Sequence, residues 1–211
     1  EWVLFFFIIQ GIHFMGTWKL YKAAGYKSWQ AVVPIYNAII LMKIIKRPVW
    51  WVVLLFVPTI NLILFGVIWV ETMRSFGKNT IKDTALVLLT LGLYIYVINY
   101  SDKLTHIADR SLRPRTGFGE TLSSILWAVI LATIVHNYFI QPYIIPTGSL
   151  EKSLLIGDFL FVSKFHYGAR APMTAISAPM VHDTIPGLKI RSYLKYPQYP
   201  YLRLPRLQKS F

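Results

Sequence analysis

The sequence predicts an α-helical membrane bundle, with about four transmembrane helices and a re-entrant or interfacial helix, followed by the start of a mainly-β extracytoplasmic domain. Three observations support this fold class. Hydrophobic residues make up 55% of the chain and the mean hydropathy is +0.48, which is too apolar for a soluble domain. The apolar residues form long runs. After Ile140 these runs give way to β-like alternation, and eight of the twelve prolines lie there.

Four apolar segments are candidates for membrane spans. A helix needs roughly 20 apolar residues to cross the hydrocarbon core of a bilayer. The expected spans are 2–16, whose beginning we take to be missing, 50–70, 84–100 and 122–140. The run 29–45 is interrupted by Pro34 and Asn37 and flanked by lysines, so we expect a re-entrant or interfacial helix there.

The distribution of positive charge predicts how these spans are oriented. Loop 17–48 carries six basic residues and loop 99–120 carries four, so both are expected on the cytoplasmic side. Loop 71–83 has three basic and two acidic residues and is expected outside. Four spans then place both ends of the chain, and everything after Ile140, on the extracytoplasmic side.

Composition also excludes several classes of function. The net charge of +13 is interpreted as attraction to anionic lipid headgroups, and no nucleic-acid binding is expected because no recognition motif accompanies the charge. The chain has no cysteine, which excludes disulfides, thiolate metal sites and a cysteine nucleophile. The five histidines show no ligand spacing, so neither a metal nor another cofactor is expected.

A serine follows the last expected span closely. Residues 143–146 predict a short extended segment, because Pro146 biases its predecessor away from helix, and residues 160–166 predict a strand that begins after a turn at 157–158. Ser149 lies between them, nine residues after Ile140 and thus at most about 30 Å from the end of the span. We therefore expect Ser149 near the bilayer surface, flanked by strands that can bind an extended substrate.

The motifs around this serine resemble those of a known family. Pro146-Thr147-Gly148-Ser149, Gly157-Asp158 and Lys164-Phe165-His166-Tyr167-Gly168 are similar to the first two signature boxes of bacterial type I signal peptidases, over roughly residues 120 to 172. The resemblance implies a membrane-bound serine endopeptidase that cleaves signal peptides from exported precursors after small residues in an A-x-A-like pattern. It also implies a multi-pass protein of the bacterial cytoplasmic (inner) membrane whose catalytic domain faces the periplasm.

The same resemblance implies a role for individual residues. Ser149 is the expected nucleophile, and its backbone N–H and the Thr147 hydroxyl are the expected donors of the oxyanion hole. Asp158 is expected to hold a turn. The residues expected to line the pockets for small substrate side chains are Tyr143, Ile145, Pro146, Leu150, Leu154 and Leu160.

The family's general base is a neutral lysine in a later motif, K-R-x-x-G-x-P-G-D. Nothing in residues 1–211 matches that motif, so this lysine is not present in the segment and is expected beyond Phe211. Burial among apolar groups keeps such a lysine neutral by lowering its pKa. We accordingly interpret the chain as a fragment of a longer protein.

These expectations divide the chain into three parts: a multi-span membrane domain of unknown role (1–118), the transmembrane anchor of the peptidase (119–141), and the N-terminal part of an incomplete β-rich catalytic domain (142–211). The expected partners are precursor proteins and the lipid bilayer, with the translocation channel as a candidate. One alternative is a catalytically incomplete anchoring or docking subunit of the translocation machinery. Another is a small transporter or channel, suggested by the broken apolar segments near Pro34 and Pro58.

Overall fold

The computed structural model describes most of the chain, in two compact units. The described residues are 2–101, 104–113, 116–150, 153–164, 166, 168–174, 176–179, 181, 184–196, 198, 201–203 and 205, without the side chains of residues 2, 3, 5, 6 and 150. The first unit comprises Glu1–Phe56 and Asn61–Pro114, and the second comprises Val57–Ile60 and Arg115–Phe211.

Helices dominate the described residues up to residue 101. Their bounds are α1 Trp2–Ala23, a 3-10 turn Ser28–Ala31, α2 Tyr36–Ile44, α3 Trp51–Leu54, α4 Ile60–Ser75, α5 Ile81–Leu89 and α6 Tyr94–Asn99. The core of the first unit is apolar and includes Leu20 and Tyr21 of α1, Ile40 of α2, Met73 of α4 and Val87 of α5. Residues of α1, α2, α4, α5 and α6 pack together in this core. The helix-rich part of the fold prediction is confirmed.

The segment 50–70, expected as one span, folds back on itself. A continuous helix of this length would be about 30 Å long, yet Nη2 of Arg47 and Oε1 of Glu71, which flank the segment, are 3.2 Å apart. The break lies between α3 and α4, where Pro58 has no N–H to continue a helix and Thr59 has a φ of 70°. The segment therefore contains α3 and the first part of α4 in place of one continuous helix.

The segment 84–100, also expected as one span, is broken as well. Thr80 starts α5 with a capping box, in which its hydroxyl oxygen accepts from the Asp83 N–H at 3.1 Å and the Asp83 carboxylate accepts from the Thr80 N–H at 3.4 Å. The helix ends before Leu91 and Gly92, whose φ angles are 50° and 86°. A Cβ on Gly92 would lie 2.7 Å from the Trp69 ring, so only glycine fits this break.

The ends of these returning segments lie together. The Ile107 N–H donates to the Ser75 carbonyl at 2.9 Å, and Nη2 of Arg110 donates to the Ile45 carbonyl at 2.9 Å. Loop 71–83 thus begins beside the loops that follow α2 and α6, contrary to the expectation that it lies on the opposite side of the membrane.

Charged residues are absent from long segments of the first unit. Segments 28–42, 48–70 and 84–101 contain no charged side chain. The charged residues of the first unit are therefore concentrated where these segments begin and end.

The longer segment of the second unit begins with a long apolar helix. The Thr116 hydroxyl caps α7, Gly117–Ile134, by accepting from the Gly119 N–H at 3.1 Å. A π-helical turn, Val135–Phe139, extends it. Of the described residues, the 23-residue stretch Gly117–Phe139 alone forms a helix long and apolar enough to cross a membrane, with a mean hydropathy of 1.8.

A small antiparallel sheet follows this helix directly. Its strands are β1 Ile140–Ile144 and β2 Phe159–Ser163, with Ile140 opposite Ser163 and Ile144 opposite Phe159. Further along, isolated bridges such as Arg170 with Arg203 and Thr184 with Arg191 pair two irregular antiparallel segments. The predicted change to extended structure near residue 141 is thus confirmed.

Candidate active site

The loop between β1 and β2 carries Thr147 and Ser149. Two further hydrogen bonds extend the β1–β2 ladder to the base of this loop. The Ile145 N–H donates to the Asp158 carbonyl, and the Gly157 N–H donates to the Ile145 carbonyl, both at 3.0 Å. Within the loop, Ser149 lies in a short 3-10 turn, Gly148–Leu150. The serine is therefore held on a loop whose two ends are fixed by the sheet.

Asp158 shapes the return of this loop. Its carboxylate accepts from the Leu155 N–H at 2.8 Å, and its own N–H donates to the Leu155 carbonyl at 3.1 Å. Gly157 supplies the left-handed residue of the turn, with a φ of 93°. The predicted role of Asp158 in holding a turn is confirmed.

The two hydroxyls predicted for catalysis lie together. Oγ1 of Thr147 and Oγ of Ser149 are 3.3 Å apart, and both residues are exposed. As far as the described residues show, Thr147 is the one hydrogen-bonding partner of the Ser149 side chain. A carbonyl group of a substrate can therefore approach both hydroxyls, but a base must come from elsewhere for the serine to react.

Three of the predicted pocket residues share one face of the hairpin. Tyr143 and Leu160 are directly opposite on the ladder, and Ile145, two residues after Tyr143, points to the same side because side chains alternate along a strand. Pro146 and Leu154 lie in the loop, the first exposed and the second half-buried. The side chain of Leu150 lies outside the described part of the chain.

Lys164 is a structural residue to which the sequence reasoning gave no role. Its amine donates to the Asn137 carbonyl at 3.1 Å, and its N–H donates to the Phe139 carbonyl at 2.9 Å. Burial lowers the pKa of this amine below its ordinary value. The residue joins the end of β2 to the π-helical turn before β1, and a sequence pattern could not reveal this because the acceptors are backbone carbonyls.

The described residues contain no group of three or more His, Asp or Glu side chains that could hold a metal ion. The expectation of a site without metal stays a prediction.

Comparison with known proteins divides the chain at nearly the same place as the fold does. Residues 118–185 match the family "Signal peptidase, peptidase S26". Residues 29–109 match a family of unknown function, DUF5684. No solved structure matches the chain.

Several curated relatives carry the name signal peptidase I. The chain is 40% identical over 57 residues to the protein of Buchnera aphidicola subsp. Schizaphis graminum, covering 27% of this chain and 18% of the relative. It is 37% identical over 76 residues to the protein of Aquifex aeolicus, covering 36% and 24%. It is 28% identical over 87 residues to the protein of Pseudomonas aeruginosa, covering 41% and 30%.

The matched segments span at most 30% of the length of these three relatives, so the similarity concerns only one part of each relative. The family match at residues 118–185 includes all but the first residue of the helix Gly117–Phe139, the hairpin of β1 and β2, and the loop that carries Ser149. Residues 118–185 match the signal peptidase family, and in this part the chain resembles bacterial type I signal peptidases.

Proposed function

We propose that this chain belongs to a membrane-bound serine endopeptidase that removes signal peptides from exported precursor proteins. The observation that supports this most strongly is the loop between β1 and β2. There, a signal peptidase segment holds the exposed Ser149 hydroxyl 3.3 Å from that of Thr147, on a loop closed by backbone hydrogen bonds. A serine so exposed can meet an extended substrate without any rearrangement of the core.

In the proposed reaction Ser149 attacks the carbonyl carbon of the scissile peptide bond. A lysine from a later motif, absent from residues 1–211, takes the serine proton and delivers it to the leaving amine. The Ser149 N–H and the Thr147 hydroxyl donate to the oxyanion of the tetrahedral intermediate, and donors of this kind contribute roughly 10²–10³ in rate. Collapse of the intermediate leaves the signal peptide as an ester on Ser149, which water then hydrolyses.

Substrate selection is proposed to occur on the face of the hairpin that carries Tyr143, Ile145 and Leu160. A precursor bound as an added strand presents alternate side chains to that face, and the Tyr143–Leu160 pair offers apolar contacts suited to small residues. Pro146, Leu150 and Leu154 complete the proposed set from the loop. This arrangement accounts for a preference for small residues at alternate positions before the cleaved bond.

We propose that Gly117–Phe139 crosses the cytoplasmic membrane and carries the active site to its outer face. The apolar length of this helix supports the crossing, and the basic residues of loops 17–48 and 99–120 support a cytoplasmic location of its N-terminal end. We also propose that α1, which contains the expected span 2–16, crosses the membrane, although Gly117–Phe139 is the one described helix that qualifies by length and hydropathy. Segments 50–70 and 84–100 are instead proposed to enter the bilayer and return to the same side, since each is broken.

The experiment that tests this function is cleavage of a defined precursor by the full-length protein in detergent or proteoliposomes. We expect one cut, found by sequencing the N-terminus of the product, after an alanine that has another alanine two residues before it. Replacing the alanine next to the cut with tryptophan should stop cleavage, because the pockets that the family resemblance implies accept only small side chains. The control is a tryptophan placed at the residue between the two alanines, whose side chain points away from the pockets.

Cleavage at unrelated positions, or equal cleavage of both tryptophan variants, would contradict the proposal. Binding of the full-length protein to the translocation channel without any cleavage would instead favour the anchoring or docking role.

A further inference from the structure

A cluster of three arginines on one glutamate lies at the charged end of the first unit. Glu71, near the end of α4, accepts from Nη2 of Arg110 through Oε2. Its Oε1 lies 3.2 Å from Nη2 of Arg47 and 3.6 Å from Nη1 of Arg74. The guanidinium groups come from three separate places in the sequence: the loop after α2, the last turn of α4 and the loop after α6.

This arginine cluster, Arg47, Arg74 and Arg110, carries more positive charge than Glu71 can balance. Three guanidinium groups against one carboxylate leave an excess of two positive charges. The neighbouring pair of Lys46 and Asp109, 3.2 Å apart, is balanced in itself and supplies no counter-charge. Because buried or half-buried charges are unfavourable unless they are paired, an excess of this kind indicates that a further anion belongs there.

The arginines of the cluster also have hydrogen-bond donors without an acceptor. The Nε atoms of Arg47 and Arg110 are buried and make no hydrogen bond within the described residues. The whole Arg110 side chain is only 9% exposed. The Arg74 side chain is 39% exposed, and its 3.6 Å contact with Glu71 is longer than a hydrogen bond. Arg47 and Arg74 can therefore be reached from the surface, whereas Arg110 forms the floor of the cluster.

The position of the cluster favours a lipid as the source of the anion. The segments that lead away from it, 48–70 and 84–101, contain no charged residue. Exposed apolar side chains occur along both, including Val53, Phe56, Leu89 and Val97. Apolar segments whose charged residues lie at their ends suit the boundary between the hydrocarbon core and the headgroups of a bilayer. At that boundary arginines and lysines contact anionic lipids.

We propose that the arginine cluster binds the phosphate of an anionic phospholipid headgroup. Arginine suits this ligand because its planar guanidinium group can donate two parallel hydrogen bonds to a phosphate. Arg47 and Arg74 lie within residues 29–109, which match a family of unknown function, and Arg110 is the residue directly after that range. The site does not depend on the proposed peptidase activity.

Binding can be measured with the full-length protein in detergent by titrating phosphatidylglycerol and, separately, phosphatidylcholine with the same acyl chains. We expect the protein to bind phosphatidylglycerol and to bind little phosphatidylcholine. Binding is measured by native mass spectrometry or by the shift in the thermal unfolding temperature. Arg74→Gln should weaken phosphatidylglycerol binding about tenfold, since it removes a charge-assisted hydrogen bond. Arg74 is the suitable position because its loose contact with Glu71 contributes little to folding.

Two controls make the result specific. Lys82→Gln removes a positive charge from an exposed side chain in the first turn of α5 and should leave binding unchanged, whereas Arg74→Lys should restore part of the affinity. Equal binding of the two lipids, or equal losses in Arg74→Gln and Lys82→Gln, would overturn the proposal in favour of diffuse surface charge. If inorganic phosphate alone bound as tightly as the lipid, the site would serve a soluble phosphate and the lipid assignment would be wrong.

Discussion

Ser149→Ala is expected to abolish precursor processing by the full-length protein. The change removes the oxygen that would form the covalent ester, and loss of the nucleophile in a serine protease lowers the rate by roughly 10⁶-fold. Folding should be unaffected, because Ser149 is exposed and its hydroxyl contacts only that of Thr147 among the described residues. The measurement is the initial rate of precursor cleavage at saturating substrate, with protein amount and thermal unfolding checked in parallel.

Ser153→Ala is the matched control for this experiment. Ser153 is exposed in the same loop, and the chemical change is identical, but the proposal gives this serine no role. Its rate should equal that of the wild type. Processing retained in Ser149→Ala, or lost equally in both variants, would show that another residue is the nucleophile or that the loop as a whole is required.

The largest effect on stability is expected for Glu71→Ala. Glu71 is 5% exposed and is the shared partner of Arg47, Arg74 and Arg110. Its removal leaves three guanidinium groups without a counter-charge, and removing one partner of a buried ion pair typically costs roughly 3–5 kcal/mol. We expect the free energy of unfolding of the first unit to fall by that amount, measured by denaturant titration of tryptophan fluorescence.

Asp109→Asn provides the comparison for Glu71→Ala. Asp109 also pairs with a basic residue, Lys46 at 3.2 Å, but its side chain is fully exposed. Water and salt screen such a pair, so its loss should change stability little. If the two variants destabilised the protein equally, the cluster would not be the buried electrostatic centre that the structure indicates.

For the candidate active site, the sequence predicted two extended segments with Ser149 between them, at 143–146 and 160–166, and the strands are Ile140–Ile144 and Phe159–Ser163. This much could be predicted because the constraints there are local. Pro146, the Gly157-Asp158 turn and the alternation after it define two strands and a loop without any distant contact, and the hairpin of β1 and β2 has this form. Residues 140–144 and 159–163 also pair in the register that places Tyr143 opposite Leu160. Whether these residues contact substrate stays a prediction.

The helix-rich part of the chain, which was expected to lie in the membrane, was harder to predict because hydropathy does not report where a chain reverses. Segments 50–70 and 84–100 are apolar enough to be expected as spans, but Thr59 and Leu91 adopt positive φ angles that break them. The reversal of the first segment is fixed by the pairing of Arg47 with Glu71. Two residues 24 positions apart show no pattern in one sequence that would identify them as partners.

The proposal that Ser149 is the nucleophile can be tested most directly with Ser149→Cys. The sequence contains no cysteine, so the variant places a single thiol in these 211 residues, at the reacting position. We predict slow precursor processing by this variant that N-ethylmaleimide abolishes, while the same reagent leaves the wild type fully active. Processing by Ser149→Cys that persists after complete modification of the thiol would contradict the account, because the reaction would then proceed without the side chain at position 149.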